Sequence, residues 1–203
     1  MYNTTCHGGP DATDPAAIDW DLRRRRAVIG FSLDANGLPV NPIQPDLPEG
    51  RGELWHWGEA AASDAVVTLI DADGRRWLLV IERDDDYGVG VPGGGLEPDE
   101  TPEAAVVREL WEETNLDLTE AAFTRQRARY VPDPRAGRNA WMVTVPFTAV
   151  LHTSTFPEVE GRDDARQALW LRADTYADFA AAVSARGEHV FPAHVDMLRD
   201  LLS

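Results

Sequence analysis

Two apolar runs mark the ordered part of the chain. AVVTLID at 65–71 and RWLLVIER at 76–83 predict strands, and the Asp71-Ala72-Asp73-Gly74 turn between them predicts a hairpin. FTRQRARYV at 123–131 and AWMVTVPFTAVL at 140–151 predict further strands. ALWLRAD at 168–174 reads as a strand running into a helix start, and AVIGFSL at 27–33 as a shorter strand. Helices are expected over 102–114 and near 174–185 and 192–202. Strands and helices interleave, so the fold class is α/β, a layered domain. Residues 36–50 hold four prolines and two glycines and read as loop, as does the Gly/Pro stretch at 88–95. Residues 1–20 are polar and rich in Gly, Pro and Asp, and read as a loosely ordered arm.

The helix over 102–114 has clear punctuation. Thr101 is its N-cap, Pro102 takes the first helical position and Glu103 suits the positive helix end. Ala104, Ala105, Val106, Val107, Leu110 and Trp111 supply its packing residues. Asn115 stands at the exit, where a left-handed residue is needed. Glu109, Glu112 and Glu113 are spaced i, i+3 and i+4 and share one face. Like charges at that spacing repel by roughly 0.2–0.5 kcal/mol per pair. A divalent cation turns the arrangement into a favourable one, since hard oxygen donors suit Mg²⁺ or Mn²⁺. Arg108 offsets one of the charges and orients a carboxylate.

Composition narrows the class further. The 203 residues, 43% hydrophobic and 27% charged, suit a soluble globular protein with one core and a small appended lobe. No apolar run approaches the roughly 18 residues that span a bilayer. The start, MYNTTCHGGPDATDP, lacks a basic segment followed by an apolar stretch, so no secretory signal is expected. Cys6 is the one cysteine and reads as incidental, which fits a reducing compartment and a cytoplasmic location. A net charge of −16 argues against nucleic-acid partners, and no membrane partner is expected. The basic run Arg23-Arg24-Arg25-Arg26 reads as a solvated strand edge or a set of ion-pair partners, with phosphate contact as the lesser alternative.

The run Gly94-x5-Glu100-x7-Arg108-Glu109-Leu110-x-Glu112-Glu113-x-Asn115-Leu116 resembles the catalytic box of the Nudix hydrolases, with Asn115 in place of the usual late glycine. Its six fixed Gly, Glu and Arg positions match by chance on the order of once in ten million windows. The resemblance implies an α/β/α sandwich with a mixed sheet, preceded by a small N-terminal lobe. It divides the chain into 1–62, arm and substrate-contacting lobe, and 63–203, catalytic domain. It further implies that Glu109, Glu112 and Glu113 ligate Mg²⁺ or Mn²⁺ together with the backbone carbonyl of Gly93. Arg108 would orient a carboxylate, Glu100 would tie the loop to the helix, and Gly94 would let backbone approach the ions. The implied chemistry is attack of water on phosphorus. The base is left open between a box glutamate and Glu158, Glu160, Asp163 or Asp164.

Residues outside the box bear on the substrate. YVPDPRAGRNAWMVTV at 130–145 resembles a segment of the mitochondrial-type ADP-ribose pyrophosphatases, as do NGLPVNP at 36–42, GRGELWHWG at 50–58 and EGRDDA at 160–165. That resemblance implies ADP-ribose as substrate, cut to AMP and ribose 5-phosphate. Chemistry assigns Arg51 and Arg135 to phosphate and Asp133, Asn139, Asp163 and Asp164 to ribose hydroxyls. Trp141, Trp55 or Trp57 would stack on adenine, with a place in the core as the other reading of Trp141. His56 reads as a surface or packing residue. Another nucleoside diphosphate derivative is the second reading, and a non-cutting ADP-ribose sensor the third. The expected oligomeric state is monomer or homodimer.

Overall fold

A computed structural model describes residues 14–203, so Cys6 and most of the expected arm lie outside the described residues. The N-terminal lobe holds helix α1 (Trp20–Arg26) and an antiparallel pair, β1 (Ser32–Leu33) and β2 (Pro39–Val40). The main sheet follows, with β3 (Gly58–Ile70), β4 (Arg76–Arg83), β5 (Val89–Gly90), β6 (Gly93–Gly95), β7 (Thr124–Arg125), β8 (Arg129–Val131), β9 (Ala140–His152) and β10 (Ala165–Arg172). Helices α2 (Pro102–Thr114), α3 (Tyr176–Ser184) and α4 (Val195–Leu201) cover it.

The strand order is β10-β4-β3-β9-β7, with β5, β6 and β8 extending β4, β3 and β9. Every pairing is antiparallel except β3 with β9, which runs parallel from Gly58↔Ala140 to Ile70↔His152. Side chains alternate across this sheet, as period two requires. Ala65, Val67, Leu79, Val145 and Phe147 meet Val106 and Leu110 of α2 on one face. Val66, Leu78 and Val80 meet Phe179, Val183 and Leu198 of α3 and α4 on the other. The result is an α/β/α sandwich, each buried aliphatic or aromatic side chain contributing roughly 1.5–3 kcal/mol of burial.

Several elements differ from the sequence expectation. The arginine run is helical rather than an extended edge: Asp19 accepts the Leu22 N–H as N-cap, and four arginines in the last turn suit the negative helix end. Of the strand expected at 27–33, only Ser32–Leu33 pairs. The end of the arm is ordered, because Trp20 is buried and its indole N–H bonds the Pro15 carbonyl at 2.9 Å. β3 begins seven residues before the apolar run, through Ala- and Gly-rich sequence with weak strand preference. Pairing with β9 overrides that preference, and the 62/63 division falls inside this strand. The segment 123–131 breaks into β7 and β8 because Pro146, opposite the gap, has no N–H for the ladder. On α2, Trp111 and Ala104 face solvent instead of packing. Among the described residues no helix is long and apolar enough to cross a membrane.

Candidate active site

Helix α2 is fixed at both ends. Thr101 Oγ1 accepts the Ala104 N–H at 3.2 Å, and Asn115 takes φ 57° and ψ 15°, donating its N–H to the Trp111 carbonyl. Between them Arg108 commits all five of its N–H donors. Nε and Nη2 grip Glu100 at 2.8 Å each, and Nη2 also reaches the Gly95 carbonyl at 3.0 Å. Nη1 donates to Glu109 at 2.8 Å and Glu112 at 3.0 Å. One guanidinium thus ties the loop before α2 to two carboxylates on it. Glu100 closes that loop further by accepting the Glu97 N–H at 2.9 Å.

The glycine strand β6 lies against the same carboxylates. The Gly93 N–H donates to Glu113 at 2.8 Å. A Cβ on Gly94 would run into the Glu109 carboxylate where Arg108 holds it, so glycine lets this backbone come so close without displacing that carboxylate. The acidic loop before β10 docks on the end of α2: Arg162 N–H bonds the Glu113 carbonyl at 3.1 Å and Glu160 N–H the Thr114 carbonyl at 3.0 Å. That docking brings Asp163 into electrostatic range of Glu109, and Asp164 into range of Glu113. Glu160 is instead turned to Arg162 at 2.7 Å.

Burial pushes the Glu109 carboxyl up to about 7, against the pull of Arg108 and with help from Glu112 and Asp163. Glu113 is raised well above the usual range by burial, then by Glu109 and Asp164. Asp164 is raised by burial and by Asp163. Among the described residues no three acidic or imidazole side chains converge tightly enough to clasp an ion as they stand, since Arg108 and the Gly93 N–H hold the box glutamates. The donor set still fits a divalent cation. It offers hard oxygens on a rigid helix, glycine backbone within reach, and crowded carboxylates whose raised proton affinity a cation relieves.

Arg83, at the end of β4, belongs to no motif in the sequence. It grips Asp85 through Nε at 3.0 Å and Nη2 at 2.5 Å, and stands 4.6 Å from the Phe191 ring. Its charge lowers the proton affinity of Glu113 and Asp164, although burial raises both overall. Position at a strand end is a weak signal, and only the fold shows which carboxylates it faces.

Beside the box lies a cavity of about 280 Å³ between the N-terminal lobe, β3 and the loop at Gly95 and Leu96. Phe31, Leu54, Trp55 and Met142 form much of its apolar wall, while Arg23, Arg26 and Arg135 supply cations. His56, half-buried, also lines it. Glu59 lines it too, but its carboxylate accepts the Val28 N–H at 2.6 Å and the Ile29 N–H at 2.9 Å and so anchors the chain after α1. A smaller cavity of about 80 Å³ touches Arg83, Asp85 and Phe191, and Arg135 lines both.

The expected substrate residues divide. Arg135 faces the cavities, braced by Asp133 through Nε at 2.9 Å and Nη2 at 2.5 Å. Asp133 is buried, with its carboxylate turned to Arg135. Three placements depart from the expected contacts. Trp141 is 1% exposed and meets Phe31 edge-on at 5.1 Å, so it offers no face for stacking. Asn139 is buried and pins the lobe by accepting the Gly50 N–H and donating to the Pro39 carbonyl, both at 2.8 Å. Arg51 Nη1 donates to the carbonyls of Leu54 and Trp55 at 3.0 and 2.7 Å, stapling its own turn. Trp57 packs with the N-terminal cluster, and Trp55 alone of the three stacking candidates lines the larger cavity.

The chain belongs to the Nudix family: the NUDIX domain model matches residues 60–192. A Caenorhabditis elegans protein named as a nudix hydrolase is 31% identical over 166 residues, which is 76% of this chain and 64% of that protein. The mitochondrial ADP-ribose pyrophosphatase of Rattus norvegicus is 27% identical over 180 residues, 72% of this chain and 51% of that protein. The chain therefore spans between about half and two thirds of these relatives' lengths. Among solved structures, a bifunctional NMN adenylyltransferase/ADP ribose pyrophosphatase from Francisella tularensis, complexed with AMP and manganese, superimposes with a TM-score of 0.54. It is 23% identical, covering 72% of this chain and 42% of its own, a likeness of fold.

Proposed function

We propose that the chain hydrolyses the pyrophosphate bond of ADP-ribose to AMP and ribose 5-phosphate, using Mg²⁺ or Mn²⁺. The observation that carries this reading is the amphipathic cavity abutting the box. An apolar wall of Phe31, Trp55 and Met142 suits a nucleobase, and guanidinium groups suit phosphate. The loop at Gly95 and Leu96 joins this cavity to the glutamates on α2. Likeness to a mitochondrial ADP-ribose pyrophosphatase favours the same substrate.

Glu109, Glu112 and Glu113, with the Gly93 backbone, would hold the cation. Bound there, it supplies Lewis-acid stabilisation of the charge that grows on the phosphate oxygens. Arg108 fixes the directions of Glu109 and Glu112 before substrate arrives, which keeps reorganisation out of the reaction. Water attacks phosphorus, the bridging P–O bond breaks, and a carboxylate of the Glu109, Glu113, Asp163 and Asp164 group takes the water proton. The acidic loop docked on α2 keeps those acceptors together.

Incubation with ADP-ribose and Mg²⁺, with AMP as the readout, tests the reading. ADP-ribose should give the highest kcat/KM in a panel with NADH, a nucleoside triphosphate and a nucleotide sugar. No AMP from ADP-ribose at high enzyme concentration overturns the substrate assignment.

A further inference from the structure

Helix α1 lies before the residues matched to the family, yet two of its arginines line the cavity. The two are held differently. Arg23 Nη1 donates to the Trp57 carbonyl at 2.7 Å and its guanidinium lies 5.5 Å from the Trp20 ring, so it is built into the lobe. Arg26 instead reaches across to Asp99 on the loop before α2, at 3.5 Å. Both partners of that bridge are open to water, with 69% and 84% of their side chains exposed. Such a pair is worth at most about 1 kcal/mol, so a better anion displaces it readily.

The backbone beneath Arg26 is anchored. Trp20 is buried at the start of α1, and Glu59 clamps the amides of Val28 and Ile29 just after it. An exposed guanidinium thus sits on an anchored stem, beside a cavity whose lining carboxylate, Glu59, is already committed to backbone amides. Asp99 adopts φ 62°, one residue before Glu100, the partner of Arg108. The Arg26–Asp99 bridge therefore spans from the N-terminal lobe to the catalytic loop. In a chain of net charge −16, an anion arriving here needs a local cation of this kind.

We propose that Arg26 is a specificity-determining residue that exchanges Asp99 for a phosphate of the bound nucleotide. It selects phosphate-bearing ligands over nucleosides, and the bridge to Asp99 is its resting partner. The proposal rests on the cavity being the nucleotide site, and does not require that the nucleotide be ADP-ribose.

Binding of AMP and of adenosine to the full chain, measured by calorimetry, tests it apart from hydrolysis. Arg26→Ala should weaken AMP about tenfold, the value of one charge-assisted hydrogen bond, and leave adenosine unchanged. Arg26→Lys should restore part of the loss. Asp99→Asn, which frees Arg26, should tighten AMP. For ADP-ribose turnover, the Arg26→Ala loss should appear in KM rather than kcat. Wild-type AMP affinity in a folded Arg26→Ala protein overturns the proposal, even where ADP-ribose is hydrolysed. Failure to hydrolyse ADP-ribose, with the AMP difference intact, overturns the substrate assignment alone.

Discussion

His194 Nε2 stands 3.4 Å from Asp64 Oδ1, and both side chains are buried. His194 Nδ1 accepts the Val91 N–H at 3.2 Å, which leaves the ring proton on Nε2, facing the carboxylate. Asp64 pairs in register with Gly93 on β6, so the C-terminal segment braces the glycine strand of the active site from behind. Burial works against an ionised Asp64, and His194, Thr144 and Arg83 together more than offset it, holding the carboxyl below its usual range. His194→Phe keeps an aromatic ring and removes the imidazole partner of Asp64. It should cost roughly 2–4 kcal/mol, read from urea denaturation. Unchanged stability would mean that the pair contributes nothing to the brace.

Glu113 gives a prediction in which activity and stability part. Its carboxylate is buried and accepts the Gly93 N–H at 2.8 Å. Glu113→Gln retains an oxygen for that bond and removes a buried charge, so the metal-free melting temperature should hold or rise. Turnover should fall by about two orders of magnitude or more, since the proposed cation site would lose a ligand. Glu112→Gln should show the same loss of turnover. Wild-type rates in both variants would place the chemistry elsewhere.

How much of this could be read from the chain follows from the range of the interactions. The N-cap, the left-handed exit at Asn115 and the shared face of Glu109, Glu112 and Glu113 are local, and the sequence shows them. The hairpin partner at 76–83 is also legible, because both its apolar run and its turn are local. Long-range dependence hid the rest. The first seven residues of β3 are strand because β9 and, from Ala62 onward, β6 lie alongside. Arg83 gains meaning from Glu113 and Asp164, and His194 from Asp64, all distant along the chain. The expected phosphate and ribose contacts of Arg51 and Asn139 lost out to backbone groups that the lobe must satisfy.

The raised carboxyls give a pH dependence with a definite sign. The Glu109 carboxyl titrates near 4.5 in the unfolded chain and near 7 in the fold. Below 4.5 both states hold the proton and its contribution to stability is complete. As pH rises toward 7, the unfolded chain releases a proton that the fold retains, and stability falls. The loss is on the order of 3 kcal/mol for Glu109, and Glu113 adds to it in the same direction. Metal-free protein should therefore melt at a lower temperature at pH 8 than at pH 5. Mg²⁺ or Mn²⁺ should raise the pH 8 melting point and do little at pH 5, because only the ionised glutamates bind it. Scanning calorimetry at both pH values, with and without the cation, checks this, and an equal cation effect at both would contradict it.

Two tryptophans should fail in opposite ways. Trp141 is buried against Phe31 and Val143, so Trp141→Ala opens a cavity in the cluster that seats the N-terminal lobe. It should cost roughly 3–5 kcal/mol of stability, and any change in KM should follow from that loss. Trp141→Phe should recover much of it. Trp55 lines the larger cavity, where a nucleobase would lie. Trp55→Ala should raise KM for ADP-ribose about tenfold, the weight of one aromatic stacking contact, with a near wild-type melting point. Paired thermal melts and steady-state kinetics separate the two. A raised KM in a fully stable Trp141→Ala protein would return that residue to the substrate site, and an unchanged KM in Trp55→Ala would remove the nucleobase from this cavity wall.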